Sequence, residues 1–278
     1  MKKYFAMAMV AVMALGVMTG CGGSEEAAPE TEKTEGTEAE ATGDKKTFTI
    51  GFDAEYPPYG YLDDNGKYVG FDIDLATEVC ARNGWEFVPE AIAWDSKDMS
   101  LDAGLIDCIW SGFTMTGRED KYTWSDPYVD NSIIFVVRKD GGIATKEDLA
   151  GKVVVTQADS SGLAALQADE ALTSTFASLE QVPDYNTAFL NLESGVVDAI
   201  AVDIGVGQYH LNTKSDTLTR IEEPLTSEEY GIGFKLGNEE LRDQVQATLN
   251  EMAADGTVDA IVQNYTDYAL DQMVCLGK

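Results

Sequence analysis

The sequence predicts an α/β fold of two similar lobes that face each other. Three observations lead there. From Thr47 onward, runs rich in β-branched residues alternate with helical runs, the pattern of a parallel-rich sheet with crossover helices. The stretch "LDAGLIDCI" from Leu101 returns as "LESGVVDAI" from Leu192. Each copy lies downstream of its own strand–loop–helix unit, opening at Thr47 for the first and at Lys152 for the second, so the halves are expected to be related.

The elements follow in order. "TFTIGF" (Thr47–Phe52) alternates and is β-branched, so it predicts a strand. "FDIDLATEVCARNG" predicts a helix: Leu75, Ala76, Val79 and Cys80 share a face, Asp72 or Asp74 can cap its start, and Gly84 can end it. "WEFVPEA", "LIDCIWS" and "NSIIFVVRK" predict further strands. Then come a strand at "GKVVVTQ", helices at "SGLAALQADEAL" and "TAFLNLES", and a strand at "VVDAIAVD". In each copy of the repeat, a helix end, a glycine cap, a turn and a buried strand follow one another.

The N-terminus predicts targeting. Lys2 and Lys3 precede the apolar run "YFAMAMVAVMALGVM", which is short for a membrane span. "MTGC" then places Cys21 where cleavage is expected. This resembles a bacterial lipobox, with residues 1–20 as signal peptide and Cys21 as the lipidated first residue; the alternative is an ordinary signal peptide. Residues 21–46 are acidic and almost without apolar side chains beyond alanine, so a disordered tether is expected there.

Composition narrows the function classes. The chain has 49 acidic residues against 19 basic ones and a formal net charge of -30. Nucleic acid is excluded as a partner, because phosphate binding needs a basic surface. After Cys21 only Cys80, Cys108 and Cys275 remain, and His210 is the single histidine. No zinc site, Ser–His–Asp set or Cys–His pair can be assembled from these, and no cofactor is expected. One internal disulfide is possible and none is required.

In open α/β sheets, ligands bind beyond the carboxyl ends of strands. Asp53 follows "TIGF", Ser111 follows "CIW", the loop "ADSSG" follows "VVVTQ", and Asp203 ends "AIAVD". Arg118 stands among Ser111, Gly112, Thr114, Thr116 and Gly117 rather than among carboxylates, which predicts an anion pocket. Thr116 and Glu119 have capping-box spacing, so a short helix starting at Thr116 is expected to offer free N–H groups. Arg118 adds a forked donor that matches a carboxylate, and Ser111, Thr114 and Ser161 add hydroxyls. The alternative is a structural Arg118 paired with Asp126 or Glu119. Asp203 offers the opposite charge for an ammonium group, or else caps the helix that follows. Together Arg118 and Asp203 describe a receptor for a zwitterion. Tyr56 and Trp94 are candidate walls for its side chain, whereas Tyr59 and Tyr61 are expected to pack in the core.

The motifs "IGFDAEYPPYGY", "GKYVGFDIDLATEV", "LIDCIWSGFTMTGRED", "YTWSDPYVDNSIIFVVRK" and "LESGVVDAIAVD" resemble those of extracellular amino-acid-binding proteins of bacterial ABC importers, in the polar-amino-acid branch. The resemblance implies a type II periplasmic-binding-protein-like fold with a ligand cleft and two hinge crossings, near Arg138–Gly142 and Glu228–Gly233. Lobe 1 would comprise residues 47–139 and 229–278, and lobe 2 residues 140–228. It implies that Arg118, helped by Thr114 and Thr116, holds the ligand α-carboxylate, with Ser161 added from lobe 2. Asp203 would hold the α-amino group, Tyr56 and Trp94 would sandwich the side chain, and Asp53 would meet its polar end. Two positions depart from the family pattern: Gly117 alone separates Thr116 from Arg118, and Asp159 stands where glycine is usual. The implied protein is a monomeric, membrane-anchored, non-enzymatic lipoprotein that hands a free amino acid to an ABC permease. Asp53, with Glu55 and Asp159 near, predicts a polar neutral or basic ligand. A sensing or scavenging binder, and a dehydratase with Glu55 in its cleft, are the alternatives.

Overall fold

The computed structural model describes residues 45–278. The predicted signal peptide, Cys21 and nearly all of the tether lie outside the described residues. Strand β1 (Thr47–Phe52) leads into a small antiparallel sheet of β2 (Glu55–Tyr56), β3 (Gly60–Leu62) and β4 (Tyr68–Val69). Helix α1 spans Phe71–Asn83 and ends at the left-handed Gly84. Its start differs from expectation. Gly70 occupies the cap position, and neither Asp72 nor Asp74 caps the helix with its side chain. A Cβ at residue 70 would come within 2.2 Å of the Tyr59 carbonyl oxygen, so the close approach requires glycine. Asp72 turns inward instead and accepts from the Gly112 N–H at 2.6 Å.

The first lobe continues through β5 (Glu86–Ala91), α2 (Lys97–Asp102), β6 (Cys108–Ile109) and β7 (Thr123–Trp124). Next come β8 (Val129–Arg138), β9 (Val153–Gln157), α3 (Ser161–Ala168), α4 (Glu170–Thr173), β10 (Ser178–Val182) and α5 (Tyr185–Ser194). Strand β11 (Ala199–Asp203), helix α6 (Ile204–Thr213), and strands β12 (Leu218–Arg220) and β13 (Thr226–Tyr230) follow. The chain ends with β14 (Gly233–Phe234) and helices α7 (Glu239–Ala254), α8 (Thr257–Val262) and α9 (Leu270–Met273).

The strands form two large sheets. One runs β5-β1-β6-β14-β7 and the other β10-β9-β11-β8-β12, with β13 also on β8. Strand β1 is parallel to both β5 and β6, and β9 is parallel to both β10 and β11. Each lobe therefore has the same central motif, and the repeat in the sequence marks it. Gly104 and Gly195 both take left-handed φ values, 71° and 79°. Three residues after each glycine, an aspartate accepts from a backbone N–H of the neighbouring first strand. Asp107 accepts from the Thr49 N–H at 2.7 Å, and Asp198 accepts from the Val153 N–H at 2.9 Å.

The passage between sheets is not where the resemblance puts it. Strand β8 belongs to the second sheet from its first residue, because Val129 already pairs with Tyr230 of β13. The first crossing thus lies between Trp124 and Val129, not near Arg138–Gly142. The return lies between β13 and β14. Cys80, Cys108 and Cys275 are free thiols. No helix among the described residues is long and apolar enough to cross a membrane.

Candidate functional site

Strand ends from both lobes converge on one cavity. Asp53, Tyr56, Trp94, Ser111, Thr114, Arg118, Ser161 and Asp203 all line it, with Gly112, Gln157 and Ser160. Of the residues expected in the site, Thr116 is not among them. It is exposed and borders a different groove, beside Asp130 and Glu229. The short helix expected at Thr116 is also absent. Gly117 has φ 78°, a left-handed value that breaks a helix in its first turn. Glu119 reaches back to the Gly117 N–H at 3.0 Å rather than to a cap.

Arg118 makes no ion pair among the described residues. Its guanidinium donates to the backbone oxygens of Thr114, at 3.1 Å, and Asp159, at 3.4 Å. It lies 5.2 Å from the Phe113 ring centroid. The structural pairing with Asp126 or Glu119 is not formed, and the remaining N–H groups are available to an anion.

Asp203 stands at the cap position of α6, yet its side chain caps nothing. It is 2% exposed and accepts from the Tyr230 hydroxyl at 2.6 Å and the Asn131 amide at 2.7 Å. Burial pushes its carboxyl above the ordinary aspartate range, against the pull of those donors. An ammonium group entering the cavity would restore the charge.

Asp53, also in the lining, accepts from the Gln157 amide at 2.6 Å and from the Glu55 N–H at 2.8 Å. Burial raises its carboxyl to about 6, opposed by these hydrogen bonds. Tyr56 and Trp94 are buried apolar walls, and the Tyr56 hydroxyl meets that of Tyr230 at 3.0 Å. Tyr59 is wholly buried behind Tyr56, with ring centroids 5.6 Å apart, and Tyr61 is half-buried against Tyr209. Gly112 has φ 53°, and a Cβ there would come within 2.8 Å of the Tyr56 ring. Glycine is required for the loop to pass between Tyr56 and Tyr230.

Several participants escaped the sequence reading. Lys97, from α2, is 2% exposed and pairs with Asp159 of the other lobe. Its ammonium lies 5.0 Å from the Trp94 ring centroid. Asp159 has φ 57°, which explains why glycine suits this position. Its charge is matched by Lys97, so Asp159 does not add free negative charge to the cavity. Glu55 is exposed, pairs with Asn186 and does not line the cavity. Gln157 is buried at the C-terminal end of β9, where the strand-end rule would have found it. Asn131 and Glu228 are buried on the paired strands β8 and β13.

The family model described as bacterial extracellular solute-binding proteins, family 3, matches residues 48–268. The chain belongs to this family. It is 30% identical over 227 residues to the L-cystine-binding protein TcyJ of Escherichia coli (strain K12), covering 80% of this chain and 83% of the relative. The ABC transporter glutamine-binding protein GlnH of Bacillus subtilis (strain 168) is 26% identical over 276 residues, covering 95% and 97%. Among solved structures, an ABC uptake transporter substrate-binding protein from Streptococcus pneumoniae with bound histidine superposes with a TM-score of 0.76. The two share 31% identity, and the match covers 79% of this chain and 92% of that one. Membership makes this chain a substrate-binding protein of a transport family whose members work outside the cytoplasm.

Proposed function

We propose that this protein captures a free amino acid, polar neutral or basic, and delivers it to an ABC permease. The observation that carries the reading is one cavity lined by an Arg118 guanidinium with no carboxylate partner among the described residues and by the turned-in carboxylate of Asp203. A zwitterion satisfies both ends. The relatives named above bind cystine and glutamine, and the structural neighbour holds histidine. Asp53 opposes an acidic side chain, since like charges in a dry cleft repel strongly. The work is binding rather than catalysis. The dehydratase alternative called on Glu55, which lies outside the cavity and is paired with Asn186. The leader ending at Cys21 supports attachment to the membrane by lipid.

A thermal-shift panel of the natural amino acids, joined to mass spectrometry of released ligand, tests this. At a thousand-fold excess over its dissociation constant a ligand adds about 4 kcal/mol. That is a shift of roughly 10 °C for a domain of this size. The ligand should come off chemically unchanged. A largest shift with glutamate or aspartate overturns the specificity, a chemically altered product overturns the binder, and no shift with any amino acid overturns the ligand class.

A further inference from the structure

Strand β13 brings a third buried carboxylate up behind the cavity lining, beside Asp53 and Asp203. Glu228 is 7% exposed. Its Oε1 accepts from the Thr114 hydroxyl at 2.7 Å, the Asn131 amide at 2.8 Å and the Ser161 hydroxyl at 3.0 Å. These donors come from different parts of the fold. Thr114 follows β6 in the first lobe, Ser161 opens α3 in the second, and Asn131 lies on β8 beside Glu228. The same Asn131 nitrogen also donates to Asp203, so one amide bridges two carboxylates.

A hydroxyl has one hydrogen to donate. With that hydrogen on Glu228, neither Thr114 nor Ser161 has one left for another acceptor. Both residues line the cavity together with Arg118. A carboxylate approaching Arg118 therefore meets two hydroxyls turned away from it and a negative group behind them.

We propose that Glu228 is an internal counterpart of the ligand carboxylate, which competes with it for the hydroxyl hydrogens of Thr114 and Ser161 and must release them before the ligand is held. The proposal rests on the amino-acid reading of the cavity given above. The surroundings of Glu228 allow the exchange. On its outer side Glu228 borders the groove lined by Thr116, Asp130, Ser132, Ser227 and Glu229, so the side chain has a space to turn into. Burial, and next the nearby charge of Asp203, raise its carboxyl to about 7, so a proton can also neutralise it as a ligand carboxylate arrives. The titratable groups facing it are Asp203 from β11, Tyr230 from β13, Tyr185 from α5 and Tyr59 from the β2–β3 turn. Asp130 and Glu229 line the groove, and Arg118 is engaged with backbone oxygens instead. No cation competes for Glu228 among the described residues.

The competition acts on the carboxylate end alone. An amine that lacks a carboxylate does not have to displace Glu228. The test is calorimetric titration of the wild type, Glu228→Gln and Glu228→Ala with matched pairs: arginine against agmatine, and histidine against histamine. The amino acid should gain on its amine by about tenfold or more in both variants. In buffers of different ionisation enthalpy, the wild type should take up more protons with the amino acid than Glu228→Gln does, because any proton that Asp203 gives up to an ammonium is common to both. The proton count uses only the wild type and the near-isosteric Glu228→Gln, so it stands if Glu228→Ala misfolds. Wild-type amino-acid binding with an unchanged or falling ratio in Glu228→Gln overturns this proposal and leaves the binder intact. Amino-acid binding by neither wild type nor variant overturns both. Binding of the amino acid only by the variants supports the competition in its strongest form.

Discussion

Gln157, at the end of β9, donates to Asp53, at the end of β1, at 2.6 Å across the cavity. The two strands occupy matching places in their lobes, so the bond joins the lobes at equivalent points. Lys97 with Asp159, and Asn186 with Glu55, add two more ties between the lobes. Side chains of both halves thus bridge the cleft, the kind of contact that closes a two-lobed binder on its ligand.

The bond gives Asp53 a testable role. A cationic ligand side chain near Asp53 would keep it ionised, whereas a neutral one would not. Asp53→Asn should weaken a basic amino acid by about 1.5–3 kcal/mol, the scale of a charged hydrogen bond. Glutamine should lose far less. Calorimetry with both ligands checks the difference, and equal losses would remove Asp53 from the side-chain end of the site.

Arg118 should be the more sensitive position. If its guanidinium clamps a carboxylate in the cleft, Arg118→Ala leaves that charge unpaired. A loss of roughly 2–5 kcal/mol is expected. Arg118→Lys should also fail, since an ammonium lacks the planar fork. Near-wild-type affinity in Arg118→Lys would sink the bidentate role.

Asp203→Asn keeps the shape of the side chain and its place at the start of α6. It removes the charge offered to an ammonium. Because the wild-type side chain caps nothing, the variant should melt close to the wild type while amino-acid binding weakens strongly. A variant that binds normally but melts early would return Asp203 to a structural part.

What could be read from the sequence was local, and what could not was tertiary. The repeat around Leu101 and Leu192 was legible because an αβ connection needs a left-handed glycine and a buried strand in a fixed order. Its function in the fold, Asp107 and Asp198 accepting from the Thr49 and Val153 N–H groups, follows from the same spacing. Arg118 and Asp203 stood out because each contradicts its immediate neighbours. Glu228 did not, since "TSEEY" looks like a solvated edge. Only the strand period reveals it, because Glu228 and Tyr230 share the buried face of β13. Lys97 was harder still. Its partner Asp159 is 62 residues away, and no local pattern announces a buried lysine. The capping box at Thr116 failed for a local reason that was visible: Gly117 favours a left-handed turn there.

Anchoring can be tested apart from binding. Cys21→Ser should release the protein from the membrane fraction, because a lipid chain cannot be attached to serine in place of the thiol. Ligand affinity should not change, since the cavity residues all come from residue 53 onward. Unchanged sedimentation with membranes in cell fractionation would overturn the lipobox reading of "MTGC".

Asp72 should set part of the pH dependence of stability. It is wholly buried and accepts from the Gly112 N–H and the Tyr128 hydroxyl. Burial raises its carboxyl from 3.8 to about 7. The folded protein therefore holds this proton more firmly than the unfolded chain does. The resulting stability is fully present below about 3.8 and is lost as pH rises through about 7. Between pH 5 and pH 8 it amounts to roughly 2–3 kcal/mol, or a melting shift of roughly 5–10 °C. Asp72→Asn imitates the protonated acid at every pH, so its melting temperature should fall less over that interval. His210 works in the opposite sense. Burial lowers it to about 4, so its contribution is present above about 6.5 and is lost as pH falls through about 4. Asp53 and Glu228 share the sign of Asp72. All three groups are common to both proteins and cancel in the comparison. Parallel melting curves for wild type and Asp72→Asn from pH 5 to pH 8 would show that Asp72 does not take up its proton in this range.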